Sequence, residues 1–281
     1  MKSYVLITGA AGGLGKAFAA ECASRGWDLF LTDMTESSLS ILAEGLTHLF
    51  NVSVLYSPCN LADPAARERF WETVRARGLQ FHFLINVAGL DFEGLFAERS
   101  TEELSAIIRL NIESVVAMTR MILQHRDATR SLRIINVSSL AGFNPMPAKA
   151  VYAASKRFLL DFSLALHREL RDSDVTVTAL CPAGMPTNLP VIKAIERQGI
   201  MGRVTTRNVG FVAARTIDRA LAGRAMYIPG MINLALRYLS AVVPRSMVTT
   251  LLNRRWRNAS RRCRHTELAL KGAGAFARPI C

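Results

Sequence analysis

Short apolar runs recur along the first 230 residues, and longer segments with a helical apolar period separate them. The runs predict strands over residues 4–8, 27–32, 52–57, 81–86, 132–138, 175–180 and 225–228. The longer segments predict helices over residues 13–25, 36–49, 64–75, 101–126, 150–171, 188–198 and 205–222. Strands that alternate with helices in this way predict an α/β fold, with a parallel sheet and helices on both of its faces.

The pattern changes after Gly230. Residues 231–243 are largely apolar, Pro244 interrupts them, and a helical pattern resumes over 246–257 and ends in arginines. We therefore divide the chain into a catalytic body, residues 1–230, and a helical basic C-terminal extension, residues 231–281.

Charge supports the same division. The chain has 281 residues, half of them apolar, and a net charge of +13. Ten Lys and Arg residues but one acidic residue, Glu267, lie in 234–281, so this part carries +9 and the remainder +4. A body of this size and composition predicts one large globular domain. No basic face interleaved with aromatic residues accompanies the charge, which disfavours nucleic-acid binding.

The cysteines and histidines indicate neither a disulfide framework nor a metal site. The five cysteines are scattered, odd in number and contain no CxxC pair, which predicts free thiols in a reducing compartment. The five histidines are dispersed as well. The apolar run at 3–10 is too short for the core of a signal peptide, and no apolar stretch approaches the roughly 20 residues of a membrane span. We expect a cytoplasmic protein.

A glycine-rich turn follows the first predicted strand. Residues 8–15 read TGAAGGLG and lead directly into a predicted helix. Glycines at 9, 13 and 15 allow a tight turn and close approach of the backbone to a pyrophosphate, and the helix N-terminus favours a phosphate charge. The turn predicts dinucleotide binding, with an ordinary strand-to-helix turn as the alternative.

Asp33 ends the second predicted strand, 18 residues after Gly15. A carboxylate at this place can bind both ribose hydroxyls and would repel a 2′-phosphate. The neighbours Thr32 and Met34 and the turn residue Gly12 supply no cation. NAD is therefore favoured over NADP, unless Asp33 only caps the helix that follows.

The candidate proton-transfer residues lie on the predicted helix at 150–171. In YAASK, residues 152–156, Tyr152 and Lys156 are four positions apart and share one helical face. A nearby ammonium group favours the phenolate, although such pairs are usually solvated contacts. The sequence NVSS at 136–139 places Ser138 and Ser139 at the carboxyl edge of the sheet, where such sheets bind ligands. Ser139 could hold a substrate oxygen, or it could be a turn residue.

These motifs together resemble those of the short-chain dehydrogenase/reductase family, in its shorter, single-domain branch. The matching pieces are TGAAGGLG, NVAG at 86–89, Asn111 in RLNIESV, Ser139 with Tyr152 and Lys156, and CPAGMPT at 181–187. The resemblance covers about residues 4–230 and implies a Rossmann-like, doubly wound parallel sheet of about seven strands in a three-layer αβα sandwich. It also implies a homodimer or homotetramer.

The resemblance implies a role for each matching residue. Tyr152 would be the acid–base residue and Ser139 would polarise the substrate oxygen, while Lys156 would lower the pKa of Tyr152 and bind the nicotinamide ribose. Asn111 would hold a water that links Lys156 to solvent. The cofactor contacts expected from the residues and the resemblance together are Gly9, Gly12, Gly13, Leu14, Gly15, Asp33, Asn60, Leu61, Asn86, Ala88, Gly89, Tyr152, Lys156, Pro182 and Thr187.

Three positions depart from the family pattern. Val87 replaces a second asparagine, Asn60 replaces an aspartate beside the adenine, and Ala183 replaces a glycine in the loop over the nicotinamide. None of them belongs to the set of Asn111, Ser139, Tyr152 and Lys156. The implied activity is hydride transfer between NAD and a secondary alcohol or ketone without a metal, as in hydroxysteroid dehydrogenases or broad ketone reductases.

The substrate is less well defined. The segment expected to cover it, residues 187–210, carries six apolar side chains, Leu189, Val191, Ile192, Ile195, Ile200 and Met201. Phe143, Met146 and Met185 are expected at the pocket rim. This favours a bulky apolar alcohol or ketone over a sugar, but the same residues could simply pack a helix onto the body.

Residues 231–264 could form a membrane-surface helix, a subunit interface or a flap over the substrate entrance. Two other functions compete with the enzyme. A regulatory protein that binds NAD on the same fold would typically lack Tyr152 or Lys156, and a sugar-nucleotide epimerase would need a longer substrate domain.

Overall fold

The computed structural model describes residues 2–185, 205–244, 246–251 and 253–254. The strands are β1 (Ser3–Thr8), β2 (Leu29–Thr32), β3 (Val54–Tyr56), β4 (Gln80–Asn86), β5 (Leu132–Val137), β6 (Val175–Leu180) and β7 (Met226–Tyr227). They pair in parallel in the order β3-β2-β1-β4-β5-β6-β7, which confirms the doubly wound sheet expected from the sequence.

Helices connect these strands and lie on both faces of the sheet. They are α1 (Gly13–Ser24), α2 (Glu36–Phe50), α3 (Pro64–Ala76), α4 (Thr101–Ile108), α5 (Ser114–Gln124), α6 (Ala150–Glu169), α7 (Val209–Leu221) and α8 (Met231–Val242). A π-helical segment, Arg109–Glu113, joins α4 to α5. Residues 246–251 are helical as well. Within the parts of the chain described here, no helix is both long and apolar enough to cross a bilayer.

The strands are almost fully buried because each face of the sheet is covered. In β1, Val5 and Ile7 belong to a core that includes residues of α1 and α7. The alternate residues Tyr4 and Leu6 point to the other face and pack in a core with residues of α3 and α5. The result is three layers, helix on sheet on helix, as predicted.

The topology fixes where a ligand can bind. The chain moves outward from β1 through β2 to β3 and then returns to place β4 on the other side of β1. The carboxyl ends of β1 and β4, at Thr8 and Asn86, pair with each other. An open α/β sheet binds its ligand in the crevice at such a switch point. The glycine turn and the residues that follow β4 and β5 lie at this edge.

The predicted boundaries need few corrections. The second strand begins at Leu29 instead of residue 27, because the Trp27 N–H bonds to the Cys22 carbonyl at the end of α1. The helical region predicted over 101–126 contains the π segment. The helix predicted from residue 205 begins as α7 at Val209, where the Asn208 side chain accepts hydrogen bonds from the first-turn amides. The helix predicted over 188–198 lies outside the described residues.

Candidate active site

The glycine turn between β1 and α1 is packed too tightly for side chains at two of its positions. Gly9 has φ +64°, and a Cβ there would lie 2.8 Å from the Cα of Ala88. A Cβ at Gly15 would overlap the Gly9 carbonyl. Gly12, in contrast, is exposed and has φ −74°, with no atom closer than 3.4 Å to a Cβ built on it. The turn therefore presents an open backbone surface at the start of α1.

The start of α1 suits a phosphate group. The helix begins at Gly13, followed by the buried residues Leu14 and Gly15, and its N-cap residue Gly12 has no side chain to bond the first-turn amides. Unbonded N–H groups and the positive end of the helix dipole favour an anion at this place. The turn thus fits the pyrophosphate of a dinucleotide.

Asp33 is attached to this turn. One carboxylate oxygen accepts a hydrogen bond from the Ala11 N–H at 3.0 Å, and the other accepts one from the Met34 N–H at 2.7 Å. The N-cap residue of α2 is Thr35, not Asp33. The alternative in which Asp33 caps that helix is therefore excluded, and its negative charge lies beside the turn.

A groove next to Asp33 is lined by Met34 after β2, by the loop after β3 and by α3, among them Ser57, Asn60 and Arg69. The Asn60 side chain is exposed at this groove, and its oxygen accepts a hydrogen bond from the Ala62 N–H at 3.1 Å. Leu61 is buried beneath it. The contact expected between these two residues and the adenine stays a prediction. Arg69 adds a cation at the groove that the sequence reasoning missed.

The carboxyl ends of β1, β4 and β5 are held together by polar side chains. The Thr8 hydroxyl accepts hydrogen bonds from the amides of Val87 and Ala88, at 3.1 and 3.3 Å. The Asn86 side chain donates to the Asn136 side chain at 2.9 Å. Asn86 therefore braces β4 against β5, and Val87 contributes its backbone to the same arrangement.

Ser139 and Tyr152 come together at the end of β5. Ser139 lies two residues after the end of the buried strand β5, and Tyr152 lies in the first turn of α6, which packs against β5 and β6. The Ser139 hydroxyl is near enough to the Tyr152 phenol to lower the pKa of that phenol. The Ser139 oxygen also accepts a hydrogen bond from the Ala141 N–H at 3.1 Å. The predicted pair is thus assembled.

Lys156 is buried one turn further along α6, with 4% of its surface exposed. Its ammonium group donates a hydrogen bond to the Val137 carbonyl at 2.9 Å and lies 5.7 Å from the centre of the Tyr152 ring. A Cβ at Gly89 would lie 3.3 Å from this ammonium group, so the absence of a side chain at Gly89 leaves room for it. Burial lowers the pKa of Lys156 to about 8, while the charge of Asp91 acts in the opposite direction.

The pKa of Tyr152 is set mainly by burial. Burial raises it to about 12, the negative charge of Asp91 raises it further, and the Ser139 hydroxyl lowers it. The phenol is therefore protonated at neutral pH. The lowering expected from Lys156, whose ammonium group donates to the Val137 carbonyl, stays a prediction.

Asn111 lies in the π-helical segment and is fully buried. Its side-chain oxygen accepts a hydrogen bond from the Leu90 N–H at 2.8 Å. Its amide group donates to the Leu90 carbonyl at 2.9 Å and to the Ser155 hydroxyl at 3.1 Å. The side chain thus fastens the loop after β4 to α6. The expected role in holding a water remains a prediction.

The sequence reasoning missed three residues of this site. Ser155 is the partner of Asn111 on α6. Lys149 lies 5.6 Å from the centre of the Tyr152 ring and is paired with Asp91 and, at 3.3 Å, with Glu93. Asp91 and Lys149 are 58 positions apart, so no local spacing could have revealed the pair.

Other residues expected at the site lie in the turn after β5 and the loop after β6. The Pro182 carbonyl accepts a hydrogen bond from the Leu140 N–H at 2.9 Å, which ties the loop after β6 to the turn after Ser139. Phe143 lies under the Arg237 guanidinium, and Met185 packs against the α1 side of the core. Thr187, and residues 188–204 of the segment expected to cover the substrate, lie outside the described residues.

The cysteines whose positions are described form no disulfide. Cys22, Cys59 and Cys181 are free and buried, as predicted for them. Among the residues with described positions, no group of His, Cys, Asp or Glu side chains could hold a metal ion.

Comparison with known families identifies the chain. The family model for short chain dehydrogenases matches residues 3–194. The chain belongs to the short-chain dehydrogenase/reductase family. Members of this family are oxidoreductases that act on CH–OH groups with NAD or NADP.

Individual relatives of this dehydrogenase/reductase support the assignment. The mouse (Mus musculus) 17-beta-hydroxysteroid dehydrogenase type 3 is 32% identical over 203 residues, which are 70% of this chain and 64% of the mouse enzyme. The chain thus spans less than two thirds of that relative. The Escherichia coli (strain K12) 3-oxoacyl-[acyl-carrier-protein] reductase FabG is 30% identical over 230 residues, which are 80% of this chain and 92% of that enzyme. A solved 7beta-hydroxysteroid dehydrogenase has the same fold, with a TM-score of 0.80, 22% identity and coverage of 89% of this chain and 96% of that chain.

Proposed function

We propose that this short-chain dehydrogenase/reductase interconverts a secondary alcohol and a ketone with NAD(H), on a bulky apolar substrate. The observation that carries the proposal is the pair of Ser139 and Tyr152 after β5, with the buried Lys156 ammonium group 5.7 Å from the centre of the Tyr152 ring. The pair lies at the same sheet edge as the glycine turn.

The side chains suit ketone reduction at neutral pH. The Ser139 oxygen already accepts from the Ala141 amide, which leaves its O–H free to donate to the oxygen of a ketone. Tyr152 is protonated, since its pKa is about 12, and can give its proton to the same oxygen as negative charge develops there. When bound, the reduced dinucleotide supplies the hydride that the ketone carbon accepts.

Lys156 completes the arrangement. After the transfer the phenol has become a phenolate, and the buried ammonium group beside its ring stabilises that charge. In the direction of alcohol oxidation the same phenolate accepts the alcohol proton. The Tyr152 and Lys156 side chains therefore serve both directions, and neither needs a metal ion in order to do so.

The preference for NAD rests on Asp33. Its carboxylate is anchored to the glycine turn through the Ala11 amide, at a place where it can bind ribose hydroxyls and repel a 2′-phosphate. Arg69 at the adjacent groove is the cation that could weaken this preference, but it lies 3.9 Å from Asp63, whose charge partly offsets it.

The substrate class rests on the apolar residues named above and on the relatives. The mouse relative is named a hydroxysteroid dehydrogenase and the Escherichia coli relative a 3-oxoacyl reductase. Both names, together with the apolar residues of segment 187–210, favour a substrate with a large apolar part.

A panel of steroid, aliphatic and aryl ketones and a 3-oxoacyl thioester, assayed with NADH and with NADPH, tests the proposal. We expect oxidation of NADH that depends on a bulky ketone, with the matching alcohol detected by mass spectrometry. Saturable NADH binding without turnover of any compound would instead favour the regulatory alternative. Light scattering of the same preparation tests the homodimer or homotetramer that we propose from the family resemblance.

A further inference from the structure

Helix α8 turns its apolar side chains outward. Over Met231–Val242, the exposed positions fall within one arc of about 160° around the helix axis. These positions are Met231, Ile232, Ala235, Leu236, Tyr238, Leu239 and Val242. Leu239 is 64% exposed and Val242 is 84% exposed. This face, which we call the α8 face, contains no charged residue.

The inward side of α8 carries the helix's polar contacts with the body, beside Leu234, which packs on the core. Asn233 is 1% exposed and donates hydrogen bonds to the carbonyls of Thr205, at 2.9 Å, and Pro229, at 2.7 Å. The Arg237 guanidinium lies 4.4 Å from the centre of the Phe143 ring. These contacts fix the rotation of the helix about its axis. The apolar face is therefore held outward and cannot turn into the core.

Exposed apolar side chains also follow α8 along the chain. Met247 and Leu251, four positions apart in the helical residues 246–251, are 56% and 60% exposed. The run of exposed apolar side chains on the α8 face is of the kind that marks an interaction site.

The charge of the adjoining sequence indicates the partner. No acidic residue occurs between Asp218 and Glu267. Six arginines follow shortly after Leu251, namely Arg254, Arg255, Arg257, Arg261, Arg262 and Arg264. An anionic lipid bilayer offers both an apolar interior and negative headgroups. A second copy of the chain fits less well, because both copies would carry the same excess of positive charge in this part of the sequence.

We infer that the α8 face binds the surface of an anionic lipid bilayer. A helix of 12 residues is about 18 Å long, and because only one side is apolar it would lie parallel to the bilayer surface, with Leu239 and Val242 inserted. The helix packs on the turn Leu140–Phe143, directly after Ser139. Binding would therefore place the Ser139 side of the sheet toward the lipid.

Flotation of the full chain with vesicles tests this inference. One vesicle population contains phosphatidylcholine alone, and the other contains phosphatidylcholine with phosphatidylserine. We expect binding to the second population that weakens as salt is added. The variant Leu239→Glu/Val242→Glu is expected to lose at least about tenfold in vesicle-bound fraction. The matched control is Ile41→Glu/Leu49→Glu on α2, whose side chains are 73% and 72% exposed and which changes the net charge equally.

Three results would overturn the inference. The first is wild-type protein that does not float with either population. The second is an equal loss of vesicle-bound fraction in both double variants, which would mean that binding depends only on the net charge of the protein. The third is a dimer that Leu239→Glu/Val242→Glu converts to monomer without any vesicle binding by the wild type. The single variant Val242→Glu serves if the double variant fails to fold. Vesicle binding is measured without turnover, so its outcome is independent of the proposed catalytic function.

Discussion

The Lys156 ammonium group lies 5.7 Å from the centre of the Tyr152 ring; Lys156 is buried and Tyr152 is half-buried. The two groups respond to burial in opposite directions, because burial disfavours the charged form of each. The pKa of Tyr152 rises to about 12 and that of Lys156 falls to about 8. At neutral pH the phenol therefore keeps its proton beside an ammonium group that has lost most of its hydration.

The charge of Asp91 affects the pKa values of both Tyr152 and Lys156. This negative charge raises the pKa of Tyr152, so Asp91→Asn should lower that pKa. In alcohol oxidation, which needs the phenolate, the midpoint of the rate against pH should move down by roughly half a unit. Steady-state rates measured across pH with the best alcohol from the substrate screen provide the test.

Glu93→Gln is the matched control for Asp91→Asn. Glu93 is paired with the same Lys149 at 3.3 Å but is not among the groups that shift the pKa of Tyr152. Glu93→Gln should therefore leave the midpoint of the rate of alcohol oxidation against pH unchanged. A shift of equal size in both variants would mean that Lys149, and not Asp91, sets the effect.

Two substitutions in the glycine turn test separately how tightly the turn is packed and whether it binds the cofactor. Gly9→Ala should lower the free energy of unfolding by about 2–4 kcal/mol, since it adds a side chain at φ +64° against the Ala88 backbone. Gly12→Ala should stay within about 1 kcal/mol of the wild type but bind NADH roughly tenfold more weakly. Urea unfolding and NADH fluorescence titration measure the two effects. Equal stability of both variants would contradict the packing described here.

Asp33→Asn tests the cofactor preference. The asparagine oxygen can still accept from the Ala11 amide, but the charge is gone. The ratio of kcat/KM for NADPH to that for NADH should rise by about 10- to 100-fold, which corresponds to about 1–3 kcal/mol of removed repulsion. An unchanged ratio would indicate that Asp33 does not face the ribose.

His82 should make the fold sensitive to acid. Burial, assisted by the charge of Arg130, lowers the pKa of His82 to about 4 from its ordinary value of 6.5. Between these pH values the unfolded chain binds a proton that the folded chain does not, so the free energy of unfolding falls as the pH falls. The contribution of His82 to this loss is on the order of 2 kcal/mol. Urea unfolding at pH 7 and pH 4.5 should show a smaller difference for His82→Gln than for the wild type, and an equal difference would refute the assignment.

Local patterns predicted the sheet well, because a buried strand must be apolar and a helix must carry an apolar stripe. β6 was predicted over the residues that it occupies, and Tyr152 and Lys156 were placed on one helical face by their spacing. The Ser139–Tyr152 contact followed from the position of both residues at the carboxyl edge of the sheet and from the family resemblance.

The features that could not be predicted from the sequence depend on contacts between residues that are far apart along the chain. The π segment around Asn111 keeps a helical apolar period, so nothing local marks it. The pKa of Tyr152 depends on how deeply the phenol is buried and on Asp91, neither of which spacing reveals. The apolar stretch after Gly230 was visible, but only the contacts of Asn233 and Arg237 show which side of α8 faces outward.

The replacement Tyr152→Phe tests the central claim most directly, because it removes only the hydroxyl that would exchange the proton. With the best ketone from the substrate screen, kcat should fall by about 10²–10⁴-fold while the Kd for NADH stays within about threefold. Tyr227→Phe on β7 is the control and should keep wild-type kcat. A Tyr152→Phe enzyme that retains more than about a tenth of the wild-type kcat would contradict the assignment of Tyr152 as the proton donor.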